Sequence, residues 1–266
     1  MSIFLNWYFY SPLYYQLCND IIVEKELEMK ELTDKISQGV ISGNALKLFA
    51  LICMTVDHIG SHILDDYTLL RIIGRLAFPI FAYMIAEGCK YTKNRLKYFL
   101  TIFIEGVILQ IFIFLLSDST HMNVLITFSL SIGLIYAFDY SLRSQNNYNW
   151  VIPLTGIIFV LIICGELPGE FIKWDFHIDY GFFGVMLPFM VYIFENKLLK
   201  LLMFTLGLVF LSTSLAPIQW WCLLSIIPVA LYSGKRGKLK IKYLFHIYYP
   251  LHIVIILAIK EVLGRH

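Results

Sequence analysis

Four side chains suited to chemistry, Asp57, His58, Arg71 and Arg75, lie within the predominantly apolar stretch Thr55–Gly88, which also carries His62 and Glu87. An imidazole takes up and returns protons near neutral pH, and guanidinium groups stabilise carboxylates, phosphates or a developing oxyanion. On insertion scales, each charged side chain at the centre of a bilayer costs about 2.5–3.5 kcal/mol, so such residues persist where they pair or line a cavity. The stretch thus combines a candidate acid–base group with candidate anion-stabilising groups.

Two interpretations of the charged residues stay open. Arg71 and Arg75 are four residues apart and therefore share one face of a helix. Asp57 can neutralise one of them in an ion pair between the first two spans, which is a structural role. Two arginines beside one acid leave spare positive charge, which suits an anionic ligand group or an oxyanion.

The histidines also allow structural and functional interpretations. His58 lies about two-thirds of the way across its span, level with Arg75, and we interpret it as functional. His62 follows at a spacing that can hold a metal, but "HIGSH" lacks the acid of an HExxH motif, so no metal is expected. His252 lies near the middle of the last span, after Pro250, where structural hydrogen bonding and function are equally open.

The amino-acid composition indicates which kind of secondary structure positions these side chains. Of the 266 residues, 59% are hydrophobic and only 15% are charged, which predicts an all-α, polytopic transmembrane helical bundle. The formal net charge of +2 is small, and no nucleic-acid partner is expected. We expect a short amphipathic N-terminal segment, interfacial or cytoplasmic, over residues 1–43 and a transmembrane domain over residues 44–266.

About nine spans are predicted. They cover residues 45–64, 69–88, 98–116, 123–140, 150–166, 180–195, 198–214, 216–232 and 243–260. Lysines and arginines concentrate in every second loop. In the loops between these, the only lysine or arginine is Lys173. By the positive-inside rule the N-terminus is cytoplasmic and the C-terminus lies outside.

Three further polar residues open spans from the outer side. Asn123 begins the fourth span, and Asp179 and Tyr180 begin the sixth. Spans that open towards one cavity would bring these residues into a common substrate pocket. Asp179 can equally be an ordinary helix-end acid.

Several of these segments together resemble the TraX family of bacterial membrane proteins. The similar segments are "NALKLFALICMTVDHIG", "LLRIIGRLAFPIFAYMIAEG", "YTKNRLKYFL", "NVLITFSLSIGL", "DYGFFGVMLPFMVYIF" and "KYLFHIYYPLH". They cover about residues 44–260. The combination is specific, although each segment alone would be weak.

The resemblance implies an acetyl-CoA-dependent acetyltransferase of the bacterial cytoplasmic membrane. Carried over, its acid–histidine pair corresponds to Asp57 and His58, its arginines to Arg71 and Arg75, and its terminal histidine to His252. The acceptor can be a pilin N-terminus, a glycan or a small molecule. Basic loop residues would meet the phosphates of acyl-CoA, although such residues are usually only topology signals. These candidate cofactor-binding residues are Lys90, Lys93, Arg95, Lys97 and Arg236.

Two other classes of function remain. Intramembrane Asp, His and Arg side chains also mark ion pathways, which would indicate a proton-coupled transporter of small molecules. A non-catalytic membrane scaffold would use Asp57 and the arginines only to lock helices together. We favour the enzyme because the spare arginines, the buried histidine and the family resemblance agree.

Overall fold

A computed structural model describes most of the chain. The described residues are 16, 20–21, 23–25, 27–28, 39–64, 67–117, 121–143, 149–164, 177–238, 242–262 and 264. Most of the predicted amphipathic segment over residues 19–38 lies outside these ranges, as does Lys173. The division of the chain at residue 44 stays a prediction.

The described chain folds as a bundle of helices, which confirms the predicted fold class. The helices are α1 Gly43–His62, α2 Thr68–Gly74, α3 Ala77–Tyr91, α4 Arg95–Ser117, α5 Val124–Arg143, α6 Val151–Ile163, α7 Gly181–Tyr192, α8 Lys197–Ser214, a 3-10 helix Pro217–Ser225, α9 Ile226–Ala230 and α10 Lys242–Val262. In the described ranges, the strand-like pairing consists of two isolated bridges, Ile41 with Tyr232 and Met122 with Ile178.

Every predicted span coincides with helical structure, but the count of nine stays a prediction. Four helical segments are long and apolar enough to cross a membrane. They are Thr68–Tyr91, Arg95–Leu115, Val124–Arg143 and Lys197–Ser214. The remaining apolar helices in the described residues are shorter than a typical bilayer span or less apolar.

The second predicted span is interrupted by a turn at Arg75 and Leu76. Pro79 explains the interruption, because proline has no N–H to donate to the carbonyl of Arg75, four residues earlier. The Arg75 N–H donates to the carbonyls of Arg71 and Ile72, at 3.1 and 3.2 Å, which closes α2 before α3 begins. Arg75 therefore lies at a helix junction.

The predicted same-side loops meet at the same end of the bundle. At one end, which we call the basic end, Ile41 pairs with Tyr232, and the Lys197 ammonium donates to the Tyr232 carbonyl at 2.7 Å. Lys90 and Glu195 form an ion pair there. At the opposite end, the Met122 and Ile178 segments pair. These contacts bring several of the predicted same-side connections together, while the orientation of the two ends in the membrane stays a prediction.

Helices α1 and α10 run parallel along a seam that carries most of their polar contacts. Lys47 of α1 lies over the ring of Phe245 in α10, and the Thr55 and Tyr248 hydroxyls are 2.6 Å apart. The next contact joins His58 to His252. Because residue numbers rise together on both helices, the seam runs from the basic end towards the histidines.

Gly74 allows α2 to approach α1 closely. A Cβ atom at this position would overlap the Cβ, carboxyl carbon and Oδ1 of Asp57. The absence of a side chain therefore allows the backbone of α2 to lie against the acid that its own arginines bind.

We expect Gly74→Ala to destabilise the fold by about 1–3 kcal/mol, because the added methyl group overpacks the α1–α2 contact. The matched control is Gly133→Ala in α5, where a Cβ would meet no atom within 4 Å. That change should be neutral or stabilising by up to about 1 kcal/mol, since alanine is the better helix former. Unfolding in detergent measures both, and equal stability of the two variants would contradict the proposed close packing.

Candidate functional site

Asp57 binds both predicted arginines. Its Oδ2 accepts a hydrogen bond from Arg71 Nη1 at 3.0 Å, and its Oδ1 accepts one from Arg75 Nη2 at 3.1 Å. The side chains of Asp57 and Arg75 are 15% and 14% exposed, so the pair is largely removed from solvent. The structural interpretation of the acid therefore holds, and it involves two cations at once.

Gln219 completes the support of Arg75. Its Oε1 accepts from Arg75 Nη1 at 3.3 Å, while Arg75 Nε donates to the Arg71 carbonyl at 3.4 Å. Gln219 is buried in the 3-10 helix and was not singled out in the sequence. The only available signal was an isolated amide side chain within the apolar segment Pro217–Ala230.

The turn before α7 brings Asp179 and Tyr180 to the same place. Both residues lie within electrostatic range of Arg75, and their place in a substrate pocket stays a prediction. By surface area Asp179 is exposed at this turn. Desolvation by nearby protein atoms raises the pKa of the Asp179 carboxyl to about 7, and the charge of Arg75 opposes the rise.

Asp179 changes the charge balance inferred from the sequence. The sequence placed two arginines beside one acid, whereas Arg75 is ion-paired with Asp57 and also lies within electrostatic range of Asp179. Spare positive charge is present while the Asp179 carboxyl is protonated and is cancelled when it ionises. The backbone of Tyr180 is left-handed, with φ of 62°, and its ring stacks on that of Phe78.

His58 and His252 form a direct hydrogen bond. Nδ1 of His58 lies 2.9 Å from Nε2 of His252, and the two rings are stacked. Nδ1 of His252 lies 3.0 Å from the carbonyl oxygen of Tyr248. The structure thus joins the two sequence-predicted histidines from opposite ends of the chain.

The Tyr248 carbonyl fixes the positions of the protons in this pair. A carbonyl oxygen only accepts, so Nδ1 of neutral His252 carries the proton and its Nε2 is an acceptor. Nδ1 of His58 must then donate, which leaves Nε2 of neutral His58 with an unprotonated lone pair. This nitrogen is the basic atom of the pair.

The histidines and the arginines belong to the same cluster. His58 lies within electrostatic range of Arg71 and Arg75, and Tyr249 lies within range of Asp179 and Tyr180. We call the following residues the polar cluster. They are Asp57, His58, Arg71, Arg75, Asp179, Tyr180, Gln219, Tyr249 and His252.

Asn123 lies outside the polar cluster. Its amide nitrogen donates to the Gly106 carbonyl at 2.8 Å, and its Oδ1 accepts from the Leu125 N–H at 3.0 Å. The side chain therefore starts α5 and ties it to α4. These contacts indicate a structural role and do not support its predicted place in the substrate pocket.

The predicted cofactor-binding residues lie at the basic end, in different settings. Lys90 pairs with Glu195, and Arg95 pairs with Asp139. Lys93, Lys97 and Arg236 are exposed. In the described part of the chain, no group of three His, Cys, Asp or Glu side chains is arranged to hold a metal ion.

Comparison with known proteins adds family information. A sequence-family model described as TraX protein matches residues 42–260. An uncharacterized protein of Rickettsia prowazekii (strain Madrid E) is 32% identical over 153 residues, which cover 57% of this chain and only 55% of that protein. A probable fimbrial assembly protein of Dichelobacter nodosus, FimC of serogroup H1, is 25% identical over 246 residues, covering 81% of this chain and 94% of that protein. No solved structure matches.

We expect Asp57→Ala to reduce the free energy of unfolding by about 3–5 kcal/mol, because two largely buried guanidinium groups lose their shared partner. Arg71→Met should cost clearly less, since Asp57 keeps both of its hydrogen bonds to Arg75. Denaturant unfolding in detergent ranks the two variants. Equal losses, or no loss for Asp57→Ala, would show that the acid does not hold the arginines together.

Proposed function

The chain belongs to the TraX family, and from this premise we propose that it is an integral membrane acetyltransferase. It moves the acetyl group of cytosolic acetyl-CoA to an amine or hydroxyl acceptor. The observation that carries the proposal is the basic Nε2 of His58, which is held by His252 and lies within electrostatic range of Arg75. A base next to a cationic oxyanion donor is the arrangement that acyl transfer requires.

In the proposed reaction, His58 acts first as a base. Its Nε2 removes the proton from the acceptor as the acceptor nitrogen or oxygen attacks the thioester carbonyl carbon. The tetrahedral intermediate collapses when the carbon–sulfur bond breaks, and the thiolate of CoA takes the proton back from His58. The products are the acetylated acceptor and CoA, and the histidine returns to its starting state.

Arg75 is the proposed oxyanion donor. A guanidinium group has five N–H donors, two of them on Nη1. In its described contacts, Nη1 makes a single hydrogen bond, to Gln219, so a second N–H on this nitrogen can face a ligand. Asp57 and Gln219 hold the guanidinium in place, which keeps its reorganisation during the reaction small.

His252 is a positioning residue in this proposal. Its hydrogen bond to Nδ1 stabilises the imidazolium that forms when His58 takes a proton. The chain of hydrogen bonds then ends at the Tyr248 carbonyl, which accepts a hydrogen bond but cannot pass a proton onward. A proton-coupled transporter would need a continuous path for protons. Because these hydrogen bonds end at a carbonyl, they favour the transferase.

The proposal includes location and acceptor class. With the basic end in the cytoplasm, the N-terminus is inside and the C-terminus outside the bacterial cytoplasmic membrane. The relative from Dichelobacter nodosus is named as a probable fimbrial assembly protein. A pilin N-terminus is therefore the first acceptor to test, followed by glycans and small molecules.

Replacing His58 with alanine should abolish transfer of label from radiolabelled acetyl-CoA in isolated membranes, because the only proposed base is removed. Label is counted separately in protein, glycan and small-molecule fractions, since each acceptor class reports in a different one. The control is His121→Ala, which removes an exposed histidine at the end of the bundle opposite the basic end. Wild-type transfer by a folded, inserted His58→Ala protein would refute the proposed base.

Arg75→Met should reduce the rate of transfer by about 10²–10³-fold, the usual effect of losing one oxyanion donor. Because Arg75 also binds Asp57, the amount of folded protein is measured by size-exclusion chromatography and the rate is expressed per folded molecule. Normal turnover per folded molecule would remove Arg75 from the mechanism.

A further inference from the structure

The start of α1 is fixed against the basic segment that precedes α10. The N–H groups of Gly43 and Asn44 donate to the carbonyls of Lys235 and Arg236, at 2.8 and 3.0 Å. Lys47 follows Gly43 by four residues and therefore lies on the same side of α1. This arrangement brings Lys47 towards Arg236.

Lys47 is an unusual cation because of its surroundings. It is half-buried, its ammonium lies 5.6 Å from the centre of the Phe245 ring, and it is within electrostatic range of Arg236. In the described residues, neither Lys47 nor Arg236 has an acidic partner within ion-pair distance. The other buried or half-buried cations described at this end contact an acceptor, such as Glu87 for Lys200.

We propose that Lys47 and Arg236 form a binding site for a phosphate group at the basic end of the α1–α10 seam. Arg236 is exposed, whereas Lys47 is half-buried, and the like charge of Arg236 acts unfavourably on it. A phosphate bound between the two side chains would be attracted to both. Phosphate fits this pair because an ammonium binds it as a point charge and a guanidinium binds two of its oxygens at once. The helix N-terminus contributes no donor, since protein carbonyls already accept its first N–H groups.

The position of the site relates it to the chemistry of the polar cluster. Lys47 and His58 lie on the same helix, and a rise of 1.5 Å per residue separates them by roughly 16 Å along the seam. That distance is comparable to an extended pantetheine arm, which joins the phosphates of acyl-CoA to its thioester. The identification of the phosphate as that of acyl-CoA rests on the proposed function; the headgroup of an anionic phospholipid carries the same chemistry.

Binding of adenosine 3′,5′-bisphosphate and of CoA to the full chain in neutral detergent tests the site without requiring turnover. Lys47→Met should weaken binding by about tenfold or more, the effect of losing one charged contact. Lys47→Arg should retain most of the affinity. The matched control is Arg143→Met, which removes an exposed cation from the end of α5 at the same end of the bundle.

A second arm identifies the source of the phosphate. The same variants are placed in nanodiscs of phosphatidylcholine with or without phosphatidylglycerol, and the stabilisation by the anionic lipid is measured as a shift in melting temperature. If Lys47→Met weakens the binding of adenosine 3′,5′-bisphosphate and CoA, the phosphate is that of acyl-CoA. If it abolishes only the shift in melting temperature caused by phosphatidylglycerol, the phosphate is that of a lipid headgroup. If Lys47→Met changes neither, the phosphate site is refuted, whereas transfer by the wild-type protein would still uphold the proposed function.

Discussion

The shared ion pair of Asp57 is the constraint on which the site depends. Two guanidinium groups in an apolar bundle need a counter-ion, and a single carboxylate serves both because its two oxygens accept from different arginines. The arrangement requires α2 to lie almost in contact with α1, which Gly74 permits. Arg75 itself lies at the junction of α2 and α3, where its N–H still donates to the Arg71 carbonyl.

Asp57 neutralises the arginines, and the adjacent His58 has a different role. Neighbouring positions on a helix point about 100° apart, so Asp57 faces α2 while His58 faces α10. The acid is therefore not the partner of the imidazole, and a second histidine takes that place. By accepting from Nδ1, His252 holds the orientation of His58 and leaves the lone pair of Nε2 available. The backbone carbonyl of Tyr248 sets the direction of the whole chain of hydrogen bonds.

Sequence could predict features that depend on position along one helix. The level of His58 in its span, the common face of Arg71 and Arg75 and their ion pair with Asp57 follow from spacing and hydropathy alone. Contacts between distant helices could not be predicted, because a pattern of spans does not specify which helices are neighbours. The pairing of His58 with His252 needs α1 and α10 side by side, and the support of Arg75 by Gln219 needs the 3-10 helix beside α2.

One rigid helix carries a cation, a hydroxyl and an imidazole on the side that faces α10. Lys47, Thr55 and His58 are fixed relative to one another by the helical rise, and each meets a side chain of α10. A ligand that contacts both ends of such a row is aligned by the helix and not by loops, so its reactive group arrives at a defined depth. The outer surfaces of α4 and α6 are by contrast mostly apolar. Placing the polar residues on a few inner faces lets a chain with so few charges hold several of them inside a membrane.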